Sequence, residues 1–191
     1  KDLNVHKAEF NLVGGPGEFP INEIFPDSSN IEYSAMSVEG LFEPLLHKFS
    51  FEQGSIDFNG ASVDFNGSFQ GNLSNPEIAA NVLVENLPVS RIPEFWPEAI
   101  AHDARNWITN RILGGTVKKL NAHINFQAYD WSNPITDRET LYAEFEIDSS
   151  AVHYLSGLPM AENLNAHGWY DGIDLHLNIT EGILSKQTLE N

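Results

Sequence analysis

Apolar and polar residues alternate almost without error along five stretches of the chain. Ala61, Val63, Phe65 and Phe69 fall on one side of an extended segment, and Ser62, Asp64, Asn66, Ser68 and Gln70 on the other. The same alternation is carried by Ile78, Ala80, Val82 and Val84, by Ala122, Ile124, Phe126 and Ala128, and by Ile173, Leu175, Leu177 and Ile179. Leu141, Ala143, Phe145 and Ile147 complete the set, with acidic Glu144, Glu146 and Asp148 between and after them. Period two puts successive side chains on opposite faces of a sheet, so each predicted strand is apolar on one side and wet on the other. Further strand is expected around Val5–Leu12, over Ile31–Val38 and over Ser55–Phe58, with Leu41–Ser50 interrupted by Pro44.

Two Asn-Gly pairs read differently. Asn59-Gly60 lies between two alternating runs and predicts a two-residue hairpin turn. Asn66-Gly67 lies inside an unbroken run, so the strand is expected to continue through it, with Gly67 marking a bulge or a close contact.

One segment has helical spacing. Ile100, Ala104, Trp107, Ile108 and Ile112 form a stripe, with Pro97 placed for a first helical position and Gly114-Gly115 placed as a left-handed cap, predicting a helix over 97–113. A helix ~10 Å across shields two or three strands spaced ~4.8 Å apart, and about eight to ten strands are expected. Most of the apolar face therefore needs another cover, since each large side chain left wet forgoes ~1.5–3 kcal/mol. The sheet could close into a barrel or sandwich, pair with a neighbour, or curl into a trough filled by acyl chains. The predicted fold class is mainly β: a curved, strongly twisted, mostly antiparallel sheet, an open groove or half-barrel, with one packed helix.

The bulk properties narrow the partners. The 191 residues carry 27 acidic against 10 basic side chains, a formal charge of −17, which repels nucleic acid and anionic surfaces. There is no cysteine, which excludes a disulfide scaffold. No run reaches the ~20 apolar residues of a spanning helix. Lys1 opens the chain without a methionine or a visible signal peptide, so residues 1–191 are expected to be one β-groove segment of a longer protein, any membrane anchor lying outside it. Asp27-Ser28-Ser29-Asn30-Ile31-Glu32-Tyr33 is echoed by Asp148-Ser149-Ser150-Ala151-Val152-His153-Tyr154, suggesting repeat units at 27–147 and, incomplete, 148–191.

A set of motifs adds a resemblance. Leu87-Pro88-Val89, Phe95-Trp96-Pro97, Ala104-Arg105-Asn106-Trp107 and Gly114-Gly115-Thr116-Val117 follow one another in order. In order and spacing they resemble the AsmA-like superfamily, specifically the YhdP-type, TamB-related envelope proteins of Gram-negative bacteria. Tyr154-Leu155-Ser156-Gly157-Leu158-Pro159 is similar to a recurrent loop of that family, whereas Tyr33-Ser34-Ala35-Met36 lacks its Gly-Leu-Pro. The resemblance implies an inner-membrane-anchored, periplasmic protein of repeated β units with a hydrophobic groove for phospholipid acyl chains. It implies no enzyme activity and no cofactor, with neighbouring repeats of the same chain as partners. The competing reading of the residues alone is a closed β-sandwich that binds a protein partner.

Candidate groove residues are Phe65, Val82, Val84, Ile124, Phe126, Phe145, Ile147, Leu175, Leu177 and Ile179, each either lining or ordinary core. Trp96, Pro97, Arg105, Trp107, Gly114 and Gly115 carry the motif and are read as structural. The tryptophans would anchor the helix on the sheet, and Arg105 would pair with Glu98, Asp103 or sheet carbonyls. His167, Asp171, Asp174 and His176 come nearest to a metal cluster but read as solvent-facing, with no metal expected. Asp57, Asn59, Asp64 and Asn66 have glycines at the wrong offset for a calcium loop, so hairpin chemistry is expected there. Ser28-Ser29 and Ser149-Ser150 lack a nucleophile-elbow context, and no catalytic constellation is found.

Overall fold

The structure is a computed structural model and describes residues 6–20, 30–72, 75–96, 101–130, 137–153 and 159–184. In chain order its first strands are β1 (Ala8–Gly14), β2 (Gly17–Phe19), β3 (Ile31–Tyr33), β4 (Ala35–Glu43), β5 (Lys48–Phe58), β6 (Ala61–Gln70) and β7 (Glu77–Pro88). Two short helices follow, α1 (Ile92–Phe95) and α2 (His102–Arg111). The chain continues through β8 (Ile112–Leu113), β9 (Thr116–Phe126), β10 (Leu141–Val152), β11 (Ala161–Tyr170) and β12 (Leu175–Leu184). A ten-stranded sheet runs in the order β1-β4-β5-β6-β7-β9-β10-β11-β12, with β8 added at the end of β10, and β2-β3 form a separate ribbon. All neighbours pair antiparallel. Among the described residues β1 and β12 do not pair with each other, so the sheet is open and mainly antiparallel, and the closed barrel or sandwich is not what forms.

Register keeps the apolar set on one face. Met36, Ile56, Val63, Val84, Leu120, Phe145, Gly168 and Leu177 oppose one another in turn, strand after strand. So do Val38, Gly54, Phe65, Val82, Ala122, Ala143, Tyr170 and Leu175. Directly opposed residues share a face, so each row is an uninterrupted line of apolar or small residues across the sheet. Gly54 and Gly168 are needed in these rows. A Cβ on Gly54 would lie 2.2 Å from the Phe65 ring, and one on Gly168 2.5 Å from the Phe145 ring. Each phenylalanine lies across the bare backbone of the adjoining strand, an arrangement that pins register.

The alternation steps from two to three residues at defined places. The inward set passes from Phe51 to Gly54 on β5, from Ile147 to Ser150 on β10, and from Val84 to Leu87 on β7. Asn86, Ser149 and Asn163 take positive φ values of 56°, 55° and 51° at or beside these irregularities. Bulges bend a strand and increase its twist, and asparagine and serine tolerate the left-handed backbone better than branched residues do. Beyond this line the face closes: Leu87, Val117, Val152 and Ala161 are buried in one cluster with Val89, Ile92, Ile108 and Ile112.

Several expectations are changed in detail. Of the single helix expected over 97–113 the described residues hold α2, His102–Arg111, while the separate α1 precedes that range and Pro97 and Ile100 lie outside the described residues. α2 ends at Arg111 because Ile112 is extended (φ −98°, ψ 119°) and pairs with Val152. A β-branched side chain 3% exposed gains more from that pairing than from another helical turn. Gly114 and Gly115 (φ 63° and 81°) consequently form the turn from β8 to β9 and do not cap the helix. The strand expected over Ile31–Val38 breaks at Ser34, which donates its N–H to the Asp57 carbonyl (2.8 Å) and its hydroxyl to the Asp57 carboxylate (2.8 Å). β6 runs straight through Asn66-Gly67, where a Gly67 Cβ would meet the Ala79 carbonyl at 2.1 Å. Of the two echoed segments, Ile31–Tyr33 pairs with β2, and Asp148–Val152 is the end of β10; the residues between 154 and 158 lie outside the described set.

Asn59 and Gly60 both adopt positive φ (58° and 103°), as a type I′ hairpin requires. Asp57 closes that turn by accepting the Gly60 N–H at 3.0 Å, and this bond together with the Ser34 hydroxyl holds its carboxyl below the ordinary value of 3.8. A depressed folded pKa stabilises above 3.8, and the contribution is lost as pH falls through the lower folded value. Asp57→Asn is expected to lower the urea midpoint at pH 7, and the gap to the parent should close below pH ~3.8; a gap independent of pH would contradict this. Gly115→Ala is expected to lose roughly 1–3 kcal/mol in the same assay, because a Cβ there meets the Asp148 carbonyl at 2.6 Å on a left-handed backbone.

Candidate functional site

The apolar face of the sheet is the candidate site, and the structure divides it into a covered and an uncovered part. All ten predicted groove residues share that face through the register described above. Phe126, Phe145 and Ile147 are buried, Phe126 beside Ala104 of α2 and the other two in the cluster that includes Ile108; they are core in this structure. Phe65, Val82, Val84, Ile124, Leu175 and Leu177 are half-buried, and Ile179 is 53% exposed. Cover decides the difference: among the described residues, α1, α2 and the β2-β3 ribbon lie over one region only. Phe58 shows the junction, with Phe19 of β2 and Phe95 of α1 at ring separations of 6.2 and 4.9 Å.

Away from the helices an aromatic patch stays partly open. Phe42 and Phe49 stack at 4.4 Å, Phe10 meets Phe49 and Phe51 edge-on at 6.2 and 6.1 Å, and Phe51 meets Phe65 at 5.7 Å. Phe10, Phe42, Phe49 and Phe51 were not among the residues expected from sequence. The spacing of Phe49 and Phe51 carries the period-two signal, but the Pro44–Leu46 turn and the Glu52-Gln53 bulge interrupt it on both sides. A second open region, a groove of about 610 Å³, runs between α2 and β12 and is lined by Trp107, Tyr170, Leu175, Leu177, Ile179 and Leu184, among others.

Among the motif residues, Trp96 and Arg105 link the two helices. Trp96 packs against both apolar clusters, and Trp107 packs against the larger one. Arg105 Nε donates to the Trp96 carbonyl at 2.7 Å, so its partner is the chain end of α1 where a sheet carbonyl was one of the expectations. Val89 N–H donates to the Gly115 carbonyl at 3.1 Å, linking the far side of the motif. Pro97 lies outside the described residues.

The opposite face is polar and its groups are mutually engaged. Asn81 donates to Asn66 at 3.1 Å and contacts a His123 ring nitrogen at 3.0 Å, a ladder across three strands. His167 meets Glu144 at 2.8 Å, and His176 lies 3.7 Å from Asp171 while stacking on Trp169. Asp171 accepts the Asp174 and Ile173 N–H groups at 2.9 and 3.2 Å, which holds its carboxyl below the ordinary value. The four residues expected to be solvent-facing are thus split between separate pairs and a turn. Among the described residues no group of three or more histidine, cysteine or acidic side chains could hold a metal ion. No described helix is long and apolar enough to cross a membrane.

No protein-family model matches the chain, and neither the curated proteins nor the solved structures contain a match to it.

Arg105→Ala is expected to loosen α2 from α1, losing roughly 1–3 kcal/mol as a charged donor is removed from a half-buried carbonyl. Amide exchange should accelerate in α2 more than in β5 and β6; uniform acceleration, or none, would assign Arg105 no linking role.

Proposed function

We propose that the chain is a segment of an envelope lipid-transfer protein, holding lipid acyl chains on the apolar face of its open sheet. The observation that carries this reading is the incomplete cover of that face by the described residues. Two helices of four and ten residues lie over one region, while a connected aromatic patch and a groove beside β12 are left accessible. An exposed apolar surface of this extent on a stable protein calls for a partner of matching chemistry. Hydrocarbon chains suit it, because their contacts are non-directional and nearly equal at each position along a strand. Headgroups would stay in water at the rim while chains slide along the face, a passive mechanism that needs no catalytic group. Placement in the periplasm, anchoring in the inner membrane through segments outside residues 1–191, and exchange of phospholipid between the two membranes rest on the motif resemblance around Trp96, Arg105 and Trp107.

Native mass spectrometry of the purified chain is expected to show co-purified phospholipid, and a fluorescent fatty acid should bind it saturably. Phe49→Gln, at a site 38% exposed, should weaken that binding several-fold with little change in thermal midpoint. A protein free of lipid that also ignores the fluorescent probe would rule the reading out.

A further inference from the structure

The groove between α2 and β12 is polar at one end and apolar along its length. Asp103, in the first turn of α2, and Asp174, immediately before β12, both line it. They belong to the same end: Asp174 precedes Leu175, which pairs with Tyr170, and Tyr170 packs in one cluster with Ala104, the neighbour of Asp103. The other end is hydrocarbon, where Leu184 pairs with Ala161 beside Val152. Among the described residues Asp103 and Asp174 are the only charged ones lining the groove, and no described lysine or arginine lines it. The ten residues of β12 span ~34 Å at ~3.4 Å each. The groove holds about 610 Å³ beside that strand, within the ~300–1,000 Å³ of sites that take small ligands.

We infer that this groove seats an acyl chain of a phospholipid whose headgroup carries an ammonium, with Asp103 and Asp174 at the headgroup end. The inference rests on the acyl-binding reading above and adds to it a place, a polarity and a headgroup class. Two carboxylates attract an ammonium and repel a headgroup that is only anionic, and the −17 charge of the chain acts in the same direction. Trp107 along the wall supplies an aromatic body for the upper part of the chain and reports on its occupancy.

The test is Trp fluorescence titration of the whole chain with lauroyl lysophosphatidylethanolamine, lauroyl lysophosphatidylglycerol and dodecyl maltoside, all below micelle formation. The ethanolamine lipid is expected to bind roughly five- to ten-fold more tightly than the glycerol lipid, which is what two solvent-accessible carboxylates can supply. Asp103→Asn with Asp174→Asn should bring that ratio close to one while the uncharged maltoside binds as before, which also reports that the groove is intact. Glu144→Gln with Glu146→Gln removes the same charge from the opposite face and should leave the ratio unchanged. Equal binding of both lysolipids by the parent chain overturns the headgroup inference and leaves the acyl reading standing. A ratio that falls equally in both double variants overturns the assignment to the groove, and failure of all three amphiphiles to bind removes both readings.

Discussion

Cross-strand register is the constraint from which the rest follows. A slip of one residue between any two strands would turn the apolar set of one strand to water and bring polar side chains inward. The Phe65–Gly54 and Phe145–Gly168 contacts oppose such a slip, since each ring fits only over the strand position that lacks a side chain. The Asn59-Gly60 turn, closed by Asp57, fixes the β5-β6 pairing from its end. With register held, eight strands contribute to the same apolar rows, and the question of what covers them is set for the whole molecule at once.

The irregularities answer part of that question. Register irregularities on β9, β10 and β11 fall at the strand ends near α1 and α2, and the buried cluster sits beyond that line. The helices are short and gain their order from this packing more than from their own propensity. Arg105 and the Val89–Gly115 hydrogen bond tie the helical segment into a fixed arrangement. Cover is consequently concentrated at one end of the face. The open part is left with rings that shield each other, which reduces the cost of exposure without abolishing it.

Strand positions were largely legible because period two is insensitive to what packs above a strand. β6, β7, β9, β10 and β12 lie where alternation places them, except that Ala128 and Ile173 fall in turns just outside β9 and β12, and Gly67 was readable as a close contact because alternation passed through it. The end of α2 was not. Helical spacing continues through Ile112, and nothing local says that Val152 would pair with it forty residues on. The same limit applies to the candidate site. Phe145 and Val84 look alike in sequence and oppose the same Leu120, yet Phe145 is buried and Val84 half-buried. The difference comes from which part of the sheet the helices lie over, and no residue near either one encodes that.

The two faces solve opposite problems. The polar face spends its side chains on one another, as in the Asn66–Asn81–His123 ladder and the Glu144–His167 pair, and so presents few directional groups to a partner. The apolar face has no directional groups to present. Specificity on such a surface can come only from shape and from charge at its margins. Here the strong net negative charge does two things. It opposes the association of an open apolar face with copies of itself, since every copy carries the same sign. Under the proposed lipid-binding function it also biases which amphiphiles approach, because an acyl chain on the hydrocarbon surface would bring its head beside these carboxylates. Under that proposal, resistance to self-association and headgroup selectivity follow from one charge distribution, so a rim substitution that alters binding will also alter the tendency to aggregate.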